Sequence, residues 1–314
     1  MSDKAVLGLD TSNYTTSAAY LSTQTGQLRQ AKKLLPVKQG EKGIRQSDAV
    51  FHHTVQLPEL VESLGDISDV SAVGVSDRPS CREGSYMPCF LVGVNAARTA
   101  AAAKGIRYYT TTHQIGHILA ALYSAKRLGL VREGRKFISF HVSGGTTDVL
   151  LCEKSETDFL SVKRIGGSND LKAGQAVDRC GVMLGLDFPC GAELEKLALG
   201  CDEKINYKPV MNGCECSMSG IENKCRKLLD SGADPSYIAR FCLAAVGLSV
   251  KALTKAVLAE HGQMPVIYAG GVMSDKLIAD MLKSLPDTSF AEPQFSCDNA
   301  AGVALYAAFM EGMI

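Results

Sequence analysis

A hairpin motif that occurs twice constrains this chain more than any other feature. In one copy the apolar runs Phe137-Ile138-Ser139-Phe140-His141-Val142 and Asp148-Val149-Leu150-Leu151 flank Ser143-Gly144-Gly145-Thr146-Thr147. That is the pattern of a strand, a tight glycine turn and a returning strand. Gly144 and Gly145, lacking a Cβ, let main-chain N–H groups approach an anion, and the hydroxyls of Ser143 and Thr146 add donors, so the turn can cradle a phosphate. The plain alternative is a turn and nothing more. The other copy runs from Ala5 to Leu21, where Ser12-x-x-Thr15-Thr16 matches Ser143-x-x-Thr146-Thr147 at an offset of 131 residues and Asp10 stands where His141 stands. Ser12 is the corresponding phosphate candidate.

A repeat at so long an offset implies two related lobes. Two α/β lobes, each opening with a phosphate hairpin and facing each other across a nucleotide and metal cleft, resemble the actin, Hsp70 and sugar-kinase architecture. At 314 residues and 46% hydrophobic content the chain is long and apolar enough for two cores. The polar connector 129–135 places the expected lobes at 1–134 and 135–314, with the final helix packing back on the first lobe.

Lys plus Arg (33) equals Asp plus Glu (33), so no global field draws nucleic acid or an anionic membrane to the chain. Any tRNA contact then needs a local patch or a protein partner. Met1-Ser2-Asp3-Lys4 does not read as a signal peptide, and the apolar run 96–103 is interrupted by Arg98, so the expectation is a cytoplasmic protein without a membrane span. Eleven cysteines, an odd number scattered through apolar segments, argue for reduced thiols over a disulfide framework. Cys214-Glu215-Cys216, with Cys201 and Cys225 around it, could bind metal or be redox-active, but its spacing is not that of CxxC. Cys81 and Cys89 bracket a turn-rich loop.

Residues 5–35 read as a meander and 40–43 as a surface loop, and the apolar spacing of 50–64 predicts a helix carrying His52 and His53 as polar residues near its start. Helices are expected over 90–104 and from 113. In the latter, His113 and His117 stand four apart on one face and can grip a single divalent ion, although HxxxH alone is a common accident. No Glu follows His113, so this is not the HExxH of zinc peptidases. A further helix over 170–185 carries Asp178, and a glycine-rich turn with Gly191 follows. A carboxylate so placed can hold ribose hydroxyls. Residues 201–220 read as an irregular insert and 237–261 as a long helix. The strand 265–269 runs into Gly270-Gly271, with Ser274-Asp275 capping the next helix, a second anion or adenosine platform. Asp298 falls at the start of an alanine-rich final helix.

His-x-x-x-His, Val142-Ser143-Gly144-Gly145, Ala173-Gly174-x-Ala176-x-Asp178-Arg179, Leu184-Gly185-Leu186-Asp187-Phe188-Pro189-x-Gly191, Ser217-x-Ser219-Gly220, Ala269-Gly270-Gly271-Val272 and Asp298-Asn299 occur in this order. Together they resemble the tRNA N6-adenosine threonylcarbamoyltransferase family, historically labelled glycoprotease or M22 peptidase. The resemblance implies an actin-like fold holding iron or zinc. It makes His113, His117 and Asp298 metal ligands and His141 a fourth. It also assigns the Ser143-Gly144-Gly145 turn to phosphate, Asp178 and Gly191 to the ribose and adenine side, and Asp275 to adenosine in place of the usual Asn. This chain departs from the family where Ser-Cys-Asp-Glu-Thr becomes Ser12-Asn13-Tyr14-Thr15-Thr16, and where Arg78-Pro79-Ser80 replaces Gly-Pro-Gly. Thr146 also replaces the His or Asn of the second hairpin.

Three readings follow. The first is a metal-dependent transferase using a carbamoyl- or threonylcarbamoyl-adenylate donor, with tRNA as a possible acceptor. The second is a non-catalytic paralogue that binds adenine nucleotide and metal and acts through a protein partner or a homodimer formed by the helices over 50–64 and 90–104. The third is an actin-like kinase.

Overall fold

The computed structural model describes residues 4–12, 14–36, 44–156 and 159–314. Asn13 and the loop expected at 40–43 lie outside the described residues. The chain forms two compact units, Met1–Tyr123 with Cys297–Ile314, and Ser124–Ser296. The first unit thus ends at Tyr123 and not at the expected 134, and it takes in the C-terminal segment whose helix was expected to pack back on the first lobe. The segment leading into the connector is tied to the second unit: Arg127 pairs with Asp287 at 2.7 Å and Glu292 N–H donates to Ser124 Oγ at 3.2 Å.

In the first unit, β1 (Ala5–Ser12), β2 (Thr15–Ser22) and β3 (Leu28–Leu34) form an antiparallel meander. After α1 (Gln46–Ser63) the chain enters β4 (Val70–Arg78), and α2 (Phe90–Lys104) leads to β5 (Arg107–Thr112). The sheet order is β3-β2-β1-β4-β5, with β4 parallel to both of its neighbours, as the intervening helices require. Every residue of β1 and β2 is buried, which is why these strands read as nearly unbroken apolar and small-residue runs. α3 (His113–Ser124) follows β5 directly.

The C-terminal helix, Ala301–Met310, packs on this sheet through glycines: a Cβ at Gly8 would lie 2.5 Å from the Ala300 carbonyl oxygen, and one at Gly74 would meet the Val303 carbonyl. That contact places the last residues of the chain in the first unit.

His53, expected as a polar residue near the start of α1, is instead fully buried on its inner face. Its Nδ1 lies 2.8 Å from Thr16 Oγ1, and burial, the dominant effect, lowers its pKa to about 4. A base whose folded pKa lies below its unfolded value stabilises the fold least at low pH. This contribution is complete above about pH 6.5 and is lost as pH falls toward 4. Denaturant titrations at pH 7 and pH 5 are expected to show a loss of roughly 1–2 kcal/mol attributable to His53 after solvent screening, absent from His53→Gln. An equal pH dependence in the variant would refute the assignment.

The second unit begins with the short helix α4 (Gly129–Arg132). It repeats the plan with the meander β6 (Phe137–Val142), β7 (Thr147–Glu153) and β8 (Ser161–Ser168). α5 (Ala173–Met183) and α6 (Gly191–Ala198) come next. The expected irregular insert contains a small hairpin, β9 (Val210–Asn212) and β10 (Glu215–Ser217), which extends the sheet edge because β10 pairs in parallel with β8. Two helices, α7 (Ser219–Asp230) and α8 (Pro235–His261), precede β11 (Val266–Ala269), α9 (Lys276–Leu282) and β12 (Thr288–Phe290). The order β12-β11-β6-β7-β8-β10-β9 contains the same meander and two parallel strands as the first sheet. By length and composition α8 is apolar enough to cross a membrane, but 72% of its most apolar stretch is buried inside the fold, as in a core helix.

Candidate functional site

In the first unit, β1 carries Asp10 into complete burial, where Ser12 Oγ donates to it at 2.8 Å and Ser76 of β4 also donates. His113 is the first residue of α3, and its Nδ1 lies 3.1 and 3.2 Å from the two Asp10 oxygens. One turn on, His117 brings its Nε2 to 2.9 Å from His113 Nε2. Just ahead of the C-terminal helix, Asn299 Oδ1 accepts from Ala301 N–H at 3.0 Å. The neighbouring Asp298 places Oδ1 3.2 Å from His117 Nε2 and 3.5 Å from His113 Nε2. Thr15 Oγ1 donates to the other Asp298 oxygen at 3.0 Å.

Burial acts to lower the His113 pKa, but the charge and hydrogen bond of Asp10, with Asp298, outweigh it and raise the value to about 10. Burial likewise opposes ionisation of Asp10 and Asp298. The imidazoles overcome it, keeping Asp10 below the usual carboxylate range and Asp298 well below.

Two imidazole nitrogens facing each other at 2.9 Å need either one shared proton or one shared cation. For a cation held at about 2.0–2.1 Å, neighbouring ligand atoms lie about 2.9–3.4 Å apart; the edges of 2.9 and 3.2 Å fall in that range and the third, 3.5 Å, lies just beyond it. Asp10, by accepting the Nδ1 proton, fixes the His113 tautomer whose Nε2 lone pair points at the shared position. The donor set of two nitrogens and one carboxylate oxygen suits a borderline divalent ion.

In the second unit the glycine turn is held by Ser143 N–H donating to Thr146 O at 2.7 Å and Thr146 N–H donating to Ser143 Oγ at 3.2 Å. Gly144 and Gly145 are exposed at its tip. The N-terminus of α5 abuts this turn, with Gly174 N–H donating to Ser143 O at 3.2 Å; a Cβ on Gly174 would lie 2.6 Å from Gly144 Cα and N. A cavity of about 370 Å³ opens beside it, lined by Gly144, Asp178, Gly191, Glu195, Gly271 and Asp275 among others. That volume is in the range of small-molecule sites. Asp178 Oδ1 accepts from Cys190 N–H at 2.9 Å. Asp275 caps α9 by accepting from Ile278 N–H at 3.0 Å, and burial pushes its pKa up to about 6.

The expected site residues thus fall into two groups. His113, His117 and Asp298 converge in the first unit. Gly144, Asp178, Gly191, Gly271 and Asp275 share one cavity in the second. Ser143, Gly145 and Thr146 shape the adjoining turn, and Gly270 packs against Val142 without lining the cavity. Ser12, expected at a phosphate, hydrogen-bonds to Asp10 in support of His113. His141 lies in the second unit on β6, opposite Asp148 and Ala269. Sequence reasoning did not assign roles to Asp10, Thr15, Ser76 or Glu195. The sole hint was that Asp10 and His141 are equivalent in the duplication.

The family model described as tRNA N6-adenosine threonylcarbamoyltransferase matches residues 31–305. A protein of that name from Listeria innocua is 28% identical over 284 residues, covering 83% of this chain and 78% of its own. Another from Campylobacter fetus is 28% identical over 317 residues, covering 95% and 90%. Among solved structures, full-length HypF in its phosphate- and nucleotide-bound form superposes with a TM-score of 0.60 at 13% identity, covering 98% of this chain and 55% of that one. A ROK family glucokinase from Streptomyces griseus, in complex with glucose and AMPPNP, superposes at 0.54 and 12% identity, covering 97% and 99%. At these identities the structural likeness establishes the fold, which is that of the actin-like ATPases.

Proposed function

Because this chain belongs to the tRNA N6-adenosine threonylcarbamoyltransferase family, we propose that it transfers a threonylcarbamoyl group from an adenylate donor to N6 of an adenosine in tRNA. In that reaction N6 attacks the carbamoyl carbon, the bond from that carbon to the phosphate oxygen breaks, AMP leaves with the electron pair, and N6 loses a proton.

The observation that carries the reading is the convergence of Asp298 with His113 and with His117, which lies 181 residues earlier, at cation-ligand spacing. Iron or zinc is the ion proposed for them, and when bound it would supply Lewis-acid chemistry. The chain's own groups do the rest. Asp10 orients His113. The exposed Gly144 and Gly145 backbone offers N–H groups to an anion, and the α5 N-terminus, whose Ala173 and Gly174 N–H groups are already bonded to Thr147 Oγ1 and the Ser143 carbonyl, adds positive dipole. Asp178 accepts ribose hydroxyls, and Asp275, which lines the same cavity, meets the nucleoside. Positioning supplies most of the rate in such a site.

Incubation of the chain with threonylcarbamoyl-adenylate and tRNA, followed by nucleoside mass spectrometry, is expected to yield N6-threonylcarbamoyladenosine. Absence of product from protein loaded with both cation and nucleotide would overturn the proposal. Asp178→Asn keeps an acceptor for Cys190 N–H and removes the charge. It is expected to weaken adenine-nucleotide binding by about tenfold in calorimetry, and unchanged affinity would remove Asp178 from the site.

A further inference from the structure

Three helices of the second unit, α5, α7 and α8, each turn one cysteine toward a common point. Cys180, Cys225 and Cys242 are all fully buried, and their sulfur atoms lie within 4.8 Å of one another. A central atom about 2.3 Å from each sulfur would hold them about 4 Å apart, so the thiols already stand close to the arrangement of a three-sulfur site.

The surroundings decide what charge the central atom must carry. Ala176, Val177, Ile221 and Ile238 belong to the same apolar core as the three cysteines. Glu222, the charged side chain that acts on Cys225, is itself negative. Three thiolates around a monovalent ion leave two net negative charges in that core and around a divalent ion leave one. Around a trivalent centre they leave none. A buried charge without a partner is strongly unfavourable, and soft thiolates select thiophilic centres. We propose that Cys180, Cys225 and Cys242 form a trithiol site for a trivalent thiophilic centre, with arsenite as its probe.

The exchange balances without redox chemistry. Arsenous acid gives up three As–O bonds for three As–S bonds, each hydroxide leaves as water with one thiol proton, and arsenic stays trivalent. Before binding, Cys242 Sγ donates to the Ala176 carbonyl oxygen of α5 at 3.7 Å, a contact its thiol proton gives up when the sulfur binds. Cys180 follows Asp178 on α5 by two residues and Cys242 precedes Leu243 on α8, and Asp178 and Leu243 line the 370 Å³ cavity. An occupied site therefore pins together two helices that form that cavity.

The test uses the full, reduced chain and arsenite alone. Native mass spectrometry is expected to show one arsenic per chain with loss of three protons, and arsenic X-ray absorption to show three sulfur neighbours. Cys180→Ala, Cys225→Ala and Cys242→Ala are each expected to weaken binding by about a hundredfold, the loss of one arm of a chelate. The double variant of the exposed thiols, Cys81→Ala with Cys297→Ala, should bind as the parent does. Undiminished binding in any core variant, or zinc held by the same three sulfurs as tightly as arsenic, overturns the proposal. Should the core variants not fold, the anomalous arsenic peak in crystals of the parent chain decides. A position among the three sulfurs supports the site, and a position elsewhere or no peak overturns it.

Discussion

His117→Ala is expected to lower zinc affinity by about a hundredfold or more while leaving the chain folded, and His113→Ala with His117→Ala to abolish binding. The single variant removes one of three donors but keeps the ion pair between His113 and Asp10, whose atoms approach to 3.1 Å. The double variant also strips a fully buried carboxylate of its imidazolium, and an uncompensated buried charge costs about 3–5 kcal/mol. Its loss of binding will therefore be accompanied by lower stability. Equilibrium dialysis of metal-free protein against zinc, with elemental analysis and a parallel denaturant titration, separates the two effects. Asp10→Asn should fall between parent and His117→Ala, about 10–100-fold weaker, as expected when only the group orienting a ligand changes. Retention of one tightly held zinc by the folded double variant would mean that the imidazoles do not form the centre.

Gly302→Val carries the second large effect. A Cβ at Gly302 would collide with the Gly116 carbonyl oxygen and lie 2.9 Å from Ala120 N, both backbone atoms of α3, so no flexible side chain can move aside. The C-terminal helix would have to lift from α3 and from the sheet under it. A loss of at least about 3 kcal/mol and a fall in Tm of roughly 10 °C are expected. Gly220→Ala serves as the control, since nothing lies within 4 Å of a Cβ there and its backbone is helical. Its effect should stay within about 0.5 kcal/mol. Equal Tm values for Gly302→Val and the parent would show that this helix contact is not made.

Much of this molecule was legible in residue order alone. The two hairpins were visible because β-branched runs around short polar turns are a local signal, and their equivalence showed in Ser12-x-x-Thr15-Thr16 and Ser143-x-x-Thr146-Thr147. The spacing of His113 and His117 announced a shared helix face for the same reason. The small hairpin at Val210–Asn212 and Glu215–Ser217 was missed because three-residue strands are too short to show a period. His53 was misjudged because a single polar residue on an amphipathic helix does not reveal what covers it; its environment includes Thr16, 37 positions earlier. The length of α8 was recognised, but its fate as the buried spine of the second unit depends on the helices that pack around it.

By itself the sequence determined the two glycine hairpins and the two imidazoles on one helical face, since each depends on residues within a few positions of one another, and the recurrence of the hairpin motif showed the duplication. Only the tertiary structure decided that Asp10 holds His113 across 103 residues and that Asp298 reaches His117 across 181. The three cysteines of α5, α7 and α8 likewise meet only once those helices pack. Such pairings are set by which surfaces bury each other, and that is a property of the whole fold which no local period encodes.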